Sequence, residues 1–145
     1  MALMEVVRTS GDYGFTATDA KGHSLKIDIP EDQGGNGDGL RPMQLLLAGL
    51  GGCSGVDIVS ILKKQKQELK NLAIKIDGER EHGKEPSVWA RLEIIFEIEG
   101  DVEDAKAFRA VDLSMNKYCS VGETLRRAGA LFHWKVKVNG REVNG

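Results

Sequence analysis

Three features of the chain predict an α+β fold with antiparallel sheets. The N-terminal stretch holds three short segments of strand character, one of which, SLKIDI, alternates strictly. The middle holds one long apolar segment, Leu45 to Leu62, that reads as a buried helix. Strands occur in runs before and after helices rather than in alternating βαβ units, which is the pattern of segregated layers.

The elements follow in order. MEVVRT and YGFTATD have strand character, and SLKIDI (Ser24 to Ile29) alternates with Leu25, Ile27 and Ile29 on one face. The DAKG turn, Asp19 to Gly22, joins the last two as a hairpin, and Pro30 ends the sheet. EDQGGNGDG, Glu31 to Gly39, is a loop by composition. A flexible connector is preferred over a mobile flap for it. Pro42 suits the first turn of a helix, which runs to about Gln67 with Lys63, Lys64 and Lys66 near its negative end. LAIKIDGER (Leu72 to Arg80) and VWARLEIIFEIEG (Val88 to Gly100) form two strands joined across EHGKEPS. Asp101 is placed to cap a helix over VEDAKAFRAVDLSMNK, where Ala105, Phe108, Val111 and Met115 recur at helical spacing. Ser120 and Glu123 are spaced as a capping box, which puts Cys119 at or just before a further helix start. FHWKVKV (Phe132 to Val138) is the closing strand and NGREVNG a tail.

The chain has 145 residues, 41% of them hydrophobic, enough for one globular domain over 1–145 with a real core. Its 20 basic and 22 acidic residues leave a formal net charge of -2, so no basic surplus points to nucleic acid or to an anionic membrane surface. The start, MALMEVVRTSGDYG, lacks the apolar core of a signal peptide, and a cytoplasmic location is expected. Leu45 to Leu62 is marginal in length for a membrane span and carries Asp57, so a core helix is the preferred reading.

That helix raises a question. Gly49, Gly51, Gly52 and Gly55 surround Cys53, and each mid-helix glycine costs about 1 kcal/mol relative to alanine. Gly49, Gly52, Cys53 and Val56 share one row of a helix from Pro42, and Ala48, Gly52, Gly55 and Val59 an adjoining one. A side nearly bare of side chains admits another backbone closely, from the same chain or a second copy. The rival is a dinucleotide-binding turn, GLGGCSG, with Asp77 as a later ribose ligand. It is disfavoured because Ser54 stands at the third glycine position and βαβ alternation is lacking.

The chain has two cysteines. Cys119 at a helix N-terminus would feel the positive end of the dipole, which favours thiolate, with Arg126 and Arg127 about two turns further on. Burial of Cys53 would raise its pKa unless a cation lies near. Spacing alone leaves open a redox pair and two inert core thiols. His23, His82 and His133 are scattered and make no ligand spacing with either cysteine, so no metal is expected, and nothing calls for a cofactor. His133, beside Trp134, reads as structural. There is no G-x-S-x-G elbow for a serine hydrolase.

PMQLLLAGLGGCSGVDIVSILKK together with AVDLSMNKYCSV resembles the OsmC/Ohr family of osmotically induced and organic-hydroperoxide-resistance proteins, in particular its YhfA-like branch. The resemblance runs from about the first hairpin to the closing strand. It implies an OsmC-like intertwined homodimer, with antiparallel sheets around two central helices. It also implies chemistry. The cysteine matching Cys53 attacks an organic hydroperoxide, the one matching Cys119 resolves the sulfenic acid as a disulfide, and a lipoyl- or thioredoxin-type dithiol reduces that disulfide. Tyr118 and Val121 flank Cys119 and either line an apolar substrate pocket or belong to the core.

The resemblance has departures. Characterised peroxidases of the family carry a glutamate directly after the helix-start proline, paired with an arginine that activates the thiol. Met43 stands at that position, followed by Gln44, and Arg8 and Arg41 are the candidate cations. Ser120 replaces a proline usual after the second cysteine. Two functions are therefore carried forward: a cysteine peroxidase, and a dimer of the same fold that binds a small apolar or thiol-reactive ligand without turnover.

Overall fold

A computed structural model describes residues 3–145, and the chain divides into two compact units between Ala48 and Gly49. The first unit holds β1 (Met4–Ser10), β2 (Gly14–Asp19) and β3 (Ser24–Ile27) in one antiparallel sheet, ordered β1-β2-β3. Val6 pairs with Ala17, and Ala17 with Leu25. Asp19 Oδ1 accepts the N–H groups of Lys21 and His23 at 2.9 Å each, which closes the hairpin where the DAKG turn was expected. All seven residues of β1 are exposed, Val6 and Val7 among them, so this sheet has no cover of its own on that strand.

β3 stops at Ile27, two residues before the alternating pattern does, because Asp28 turns inward. Its carboxylate accepts N–H groups from Ile29 at 2.8 Å, Asn36 at 3.3 Å and Asp38 at 3.2 Å. The glycine-rich loop is thus held at both ends, with a single 3-10 turn at Glu31–Gln33 and a bridge from Leu40 back to Ile27. It is not the flexible connector expected from composition. Gly35 is required here, since a Cβ would overlap the Ile29 carbonyl oxygen. The three donors favour the charged carboxylate and hold Asp28 below the ordinary carboxylate range, the Ile29 N–H contributing most. A lowered folded value means the stabilisation is complete above about pH 4 and fades as pH falls through that value. The amide resonances of Ile29, Asn36 and Asp38 are expected to shift together in acid, with a midpoint below about 4. Asp28→Asn should destabilise the loop at neutral pH and much less in acid. Independent midpoints for the three amides would refute this organisation.

Helix α1 (Pro42–Lys64) starts with the proline at its first position. The Gln44 side chain reaches back to accept the Arg41 N–H at 3.0 Å, one half of a capping box. The helix ends at Lys64, short of Gln67, because Lys66 adopts a left-handed conformation, φ 57. The Lys66 N–H bonds the Lys63 carbonyl at 3.0 Å and the Gln67 N–H the Leu62 carbonyl at 2.9 Å, a Schellman closure.

The second unit contains β4 (Glu68–Arg80), β5 (Trp89–Asp101), β6 (Leu131–Val138) and β7 (Arg141–Val143), in spatial order β4-β5-β6-β7. β4 and β5 pair antiparallel, Ile76 opposite Ile94. β6 pairs parallel to β5, Phe96 opposite Val136, so this sheet is mixed rather than purely antiparallel. The helical crossover between β5 and β6 returns the chain to the same end of the sheet, which a hairpin does not do. The terminal segment is not a tail. Asn139 and Gly140 turn it back, and β7 adds to the edge of β6. Leu92, Ile94, Phe96 and Ile98 point from alternate positions of β5 into the core with Val136 and Val138. Leu50, Ile58 and Leu62 of α1 are buried, as are Ala107, Ala110 and Val111 of α2 (Asp104–Leu113). Asp101 belongs to β5, and Glu103 occupies the N-cap of α2 without a side-chain bond. The Gln67 side chain accepts the Glu103 N–H instead, at 2.8 Å.

The glycines of α1 divide by direction. A Cβ at Gly51 or Gly55 would lie 3.4 Å and 3.5 Å from the terminal carbons of Ile76 and Ile74, so these two admit the isoleucines of β4. Gly49 faces Val121 at 3.8 Å. A Cβ at Gly52 would meet nothing within 4 Å among the described residues, and Gly52 lies beside Val56, 68% exposed. GLGGCSG lies inside a continuous helix, not at a strand–turn–helix junction, which removes the dinucleotide reading and the ribose role for Asp77. α1 is long and apolar enough to cross a membrane, with 22% of its most apolar window buried within this chain.

Candidate active site

The site lies entirely in the second unit and is built from α1 and the segment that follows α2. Cys53 and Asp57 are four residues apart on α1, so they project from one face a turn apart. After α2 the chain widens into a π-helical turn, Ser114–Tyr118, in which the Cys119 N–H bonds the Ser114 carbonyl at 2.9 Å. Such turns are uncommon and often sit at functional positions. This one delivers Cys119 to the start of α3 (Ser120–Arg127). The Arg126 guanidinium donates to the Met115 carbonyl and lies over the Phe132 ring at 4.5 Å, tying α3 to the turn.

Cys119 itself is the N-cap of α3, and its Sγ accepts the Gly122 N–H at 3.3 Å. The expected Ser120–Glu123 capping box does not form. Ser120 is the first helical residue, and Glu123 instead pairs with Arg127 at 3.1 Å. Cys119 is buried and Cys53 half-buried, and both are free thiols. The two Sγ atoms and a carboxylate oxygen of Asp57 all lie within 4.8 Å of one another. The fully buried Ser114 donates its hydroxyl to Asp57 Oδ2 at 2.8 Å, which fixes the carboxylate beside the sulfurs.

The electrostatics run against the thiolate expected at this helix start. Burial pushes the Cys119 thiol up to about 11; the Gly122 N–H acts the other way, but neighbouring Cys53 and Asp57 add to the rise. Iodoacetamide labelling of Cys119 is therefore expected to stay slow at neutral pH and to climb until about pH 11. Peptide mapping across a pH series reads this directly, and fast labelling of Cys119 at neutral pH would refute it.

A cavity of about 480 Å³ opens beside Cys119, lined among others by Tyr118, Lys117, Arg126 and Arg127. Tyr118 lines it, but with Asn116, Lys117, Glu123, Arg126 and Arg127 around it the cavity is largely polar and not the apolar pocket expected, and the Val121 methyls face Gly49 instead. The histidines lie elsewhere. His23 pairs with Asp19 and His82 with Glu79, each on the surface, and His133 is on β6. Asp57 and Ser114 were missed in the sequence. The Cys-x-x-x-Asp spacing was available as a helical one-turn pair, but Ser114 had no signal until the π-helical turn placed it.

A long glycine-studded helix, a pair of sheets and two facing thiols on separate helices define a class of dithiol domain. The OsmC-like protein family model matches residues 35–134, and the chain belongs to that family. Protein YhfA of Escherichia coli (strain K12) is 37% identical over 121 residues, 82% of this chain and 86% of that protein. The crystal structure of a hypothetical protein from Aquifex aeolicus VF5 superposes with a TM-score of 0.78 at 34% identity, covering 96% of this chain and 98% of that one. The organic hydroperoxide resistance protein OsmC of Legionella pneumophila shares the fold, with a TM-score of 0.68 at 18% identity over 95% of this chain and 97% of its own.

Proposed function

We propose that this chain is a thiol-dependent reductase of organic hydroperoxides, acting as a homodimer. One observation carries the reading: two cysteines, 66 positions apart in sequence by the difference 119 − 53, bring their sulfurs within 4.8 Å from two helices. Cys53 Sγ attacks the peroxide O–O bond, giving Cys53 sulfenic acid and the alcohol. The Cys119 sulfur then attacks the sulfenic sulfur, forming the disulfide and releasing water. The two thiols supply the two electrons that the peroxide takes up. A lipoyl- or thioredoxin-type dithiol restores the pair by exchange, reaching it through the cavity beside Cys119.

Asp57 has a place in this scheme as the acceptor of the Cys119 proton, being within 4.8 Å of that sulfur and held by Ser114. Gln44 is engaged in capping α1 and does not replace the glutamate of characterised peroxidases. Activation of Cys53 then falls to a cation, Arg8, Arg41 or one from the second copy, as a nearby positive charge favours thiolate.

Dimer formation is supported by the strip Gly52, Val56 and Val59 on α1 and by the exposed β1, apolar surfaces of the kind that mark interaction sites. The cover on α1 is a second copy, since the adjoining face of the helix already packs on β4 through Gly51 and Gly55, and another face carries the Asp57–Ser114 bond. The reading takes residues 1–145 as one OsmC-like domain in the cytoplasm, where thiols stay reduced. The family match, residues 35–134, takes in most of the second compact unit and only residues 35–48 of the first.

A second reading, a ligand-binding dimer without turnover, is favoured by Asp57 itself, an anion that does not promote ionisation of adjacent thiols. Intact-mass analysis after one equivalent of cumene hydroperoxide separates the two. Loss of two hydrogens with both thiols consumed is the expected result. Unchanged mass with the peroxide intact would establish the second reading instead.

A further inference from the structure

We propose that the reduced chain binds one divalent ion of the zinc class through Cys53 Sγ, Cys119 Sγ and the Asp57 carboxylate. This goes beyond peroxide chemistry and does not depend on turnover. The three ligand atoms lie within 4.8 Å of one another, from two backbones already held in place by the core and the π-helical turn. A tetrahedral zinc ion with bonds of about 2.3 Å to sulfur and 2.0 Å to oxygen separates its ligand atoms by about 3.5–3.8 Å. Side-chain rotation closes the difference of about an ångström without moving either helix.

The surroundings match what such an ion needs. Ligating carboxylates are usually fixed by an outer hydrogen bond, and the buried Ser114 hydroxyl supplies one to Asp57 Oδ2 at 2.8 Å. The Gly122 N–H, 3.3 Å from Cys119 Sγ, supports a charged sulfur. Among the described residues Asp57 forms no ion pair, so the cluster gathers up to three negative groups that a cation would offset. Two thiolates select zinc and its soft neighbours over magnesium or calcium. Three protein ligands leave a fourth position for water or an incoming ligand. Sequence spacing did not show this site because the cysteines were matched against histidines, whereas the third ligand is a carboxylate one helical turn from Cys53. While bound, the ion would hold both sulfurs away from oxidation.

The test uses the full chain, reduced and stripped of metal, titrated anaerobically with Co²⁺ and then Zn²⁺. One cobalt per chain is expected, with sulfur-to-cobalt charge-transfer absorption and tetrahedral d–d bands, displaced by stoichiometric Zn²⁺. Alkylation of both thiols should abolish the spectrum. Ser114→Ala keeps all three ligands and should weaken Zn²⁺ binding about 10–100-fold. Asp57→Asn should weaken it at least as much. Should those variants fold poorly, ¹¹³Cd resonance of the unmodified loaded chain gives the ligand set directly. Two sulfurs and an oxygen would support the site; one sulfur or none would overturn it. Absence of charge-transfer absorption, or equal Zn²⁺ retention by the alkylated chain and by Asp57→Asn, would also overturn it. Peroxide consumption is not read in any arm, so failure here is distinct from failure of the peroxidase reading.

Discussion

Cys53→Ser is expected to abolish hydroperoxide consumption, leaving only the background rate of buffer. Serine keeps the size of the side chain but not the nucleophile, since a hydroxyl beside Asp57 and Cys119 is not ionised and does not cleave an O–O bond. Cys119→Ser should behave differently. The first thiol still forms the S–O bond, so one equivalent of peroxide is consumed and the reaction stops at Cys53 sulfenic acid. A dimedone adduct on Cys53 in Cys119→Ser, and none in the unmodified chain after one equivalent, is the expected pattern. If Cys53→Ser retained turnover, or if both variants consumed one equivalent, the division of labour between the sulfurs would be wrong. The close approach of the sulfurs makes the second step intramolecular, which is why the resolving thiol need not be reactive towards bulk reagents. Its raised pKa is compatible with that role in the proposed scheme, in which the neighbouring Asp57 carboxylate takes up the proton as the disulfide closes.

Gly52→Leu should dissociate the dimer while leaving the fold of each chain intact. Among the described residues nothing lies within 4 Å of a Cβ at this position, and Gly52 is exposed, so a leucine there starts out of contact with the chain's own core. Its cost must come from a partner. Overpacking a close contact costs about 1–3 kcal/mol, and in a two-fold interface each copy contributes one leucine, giving about 2–6 kcal/mol against association. Sedimentation at micromolar concentration should show twice the chain mass for the unmodified protein and a larger monomer fraction for the variant. An unmodified chain that sediments as a stable monomer would remove the dimer from the proposed function. A variant that dimerises with unchanged affinity would move the contact away from this strip of α1. Gly55→Leu is the matching control, since its Cβ would lie 3.5 Å from Ile74 and the damage would fall on the chain's own core.

Much of the architecture was legible because it rests on local rules. Strand-type composition, with period-two alternation in β3 and β4, located β1 to β5, and Pro42 the start of α1. The misses were of one kind. Asp101 looked like a cap and is a strand residue, because pairing with Glu68 extends β5 past the apolar run. The terminal segment looked like a tail and pairs with β6. The Glu31 to Gly39 loop looked flexible because its composition is glycine-rich, yet one buried carboxylate organises it. Each depends on a partner distant in sequence or on a side chain turned against its pattern.

By itself the sequence determined the α+β class, the long helix bearing Cys53, the helix start bearing Cys119 and the family to which both motifs belong. These follow from periodicity, backbone restrictions and motif spacing, all of which act over a few residues. Only the tertiary structure decided that β6 runs parallel to β5, that Gly51 and Gly55 admit the isoleucines of β4 while Gly52 stays open, and that Asp57 and Ser114 join the two sulfurs. It also decided that Cys119 is a high-pKa thiol rather than an activated one. A helix start favours thiolate through local dipoles, but burial and two neighbours contributed by α1 outweigh it, and those come into range only when the chain has folded.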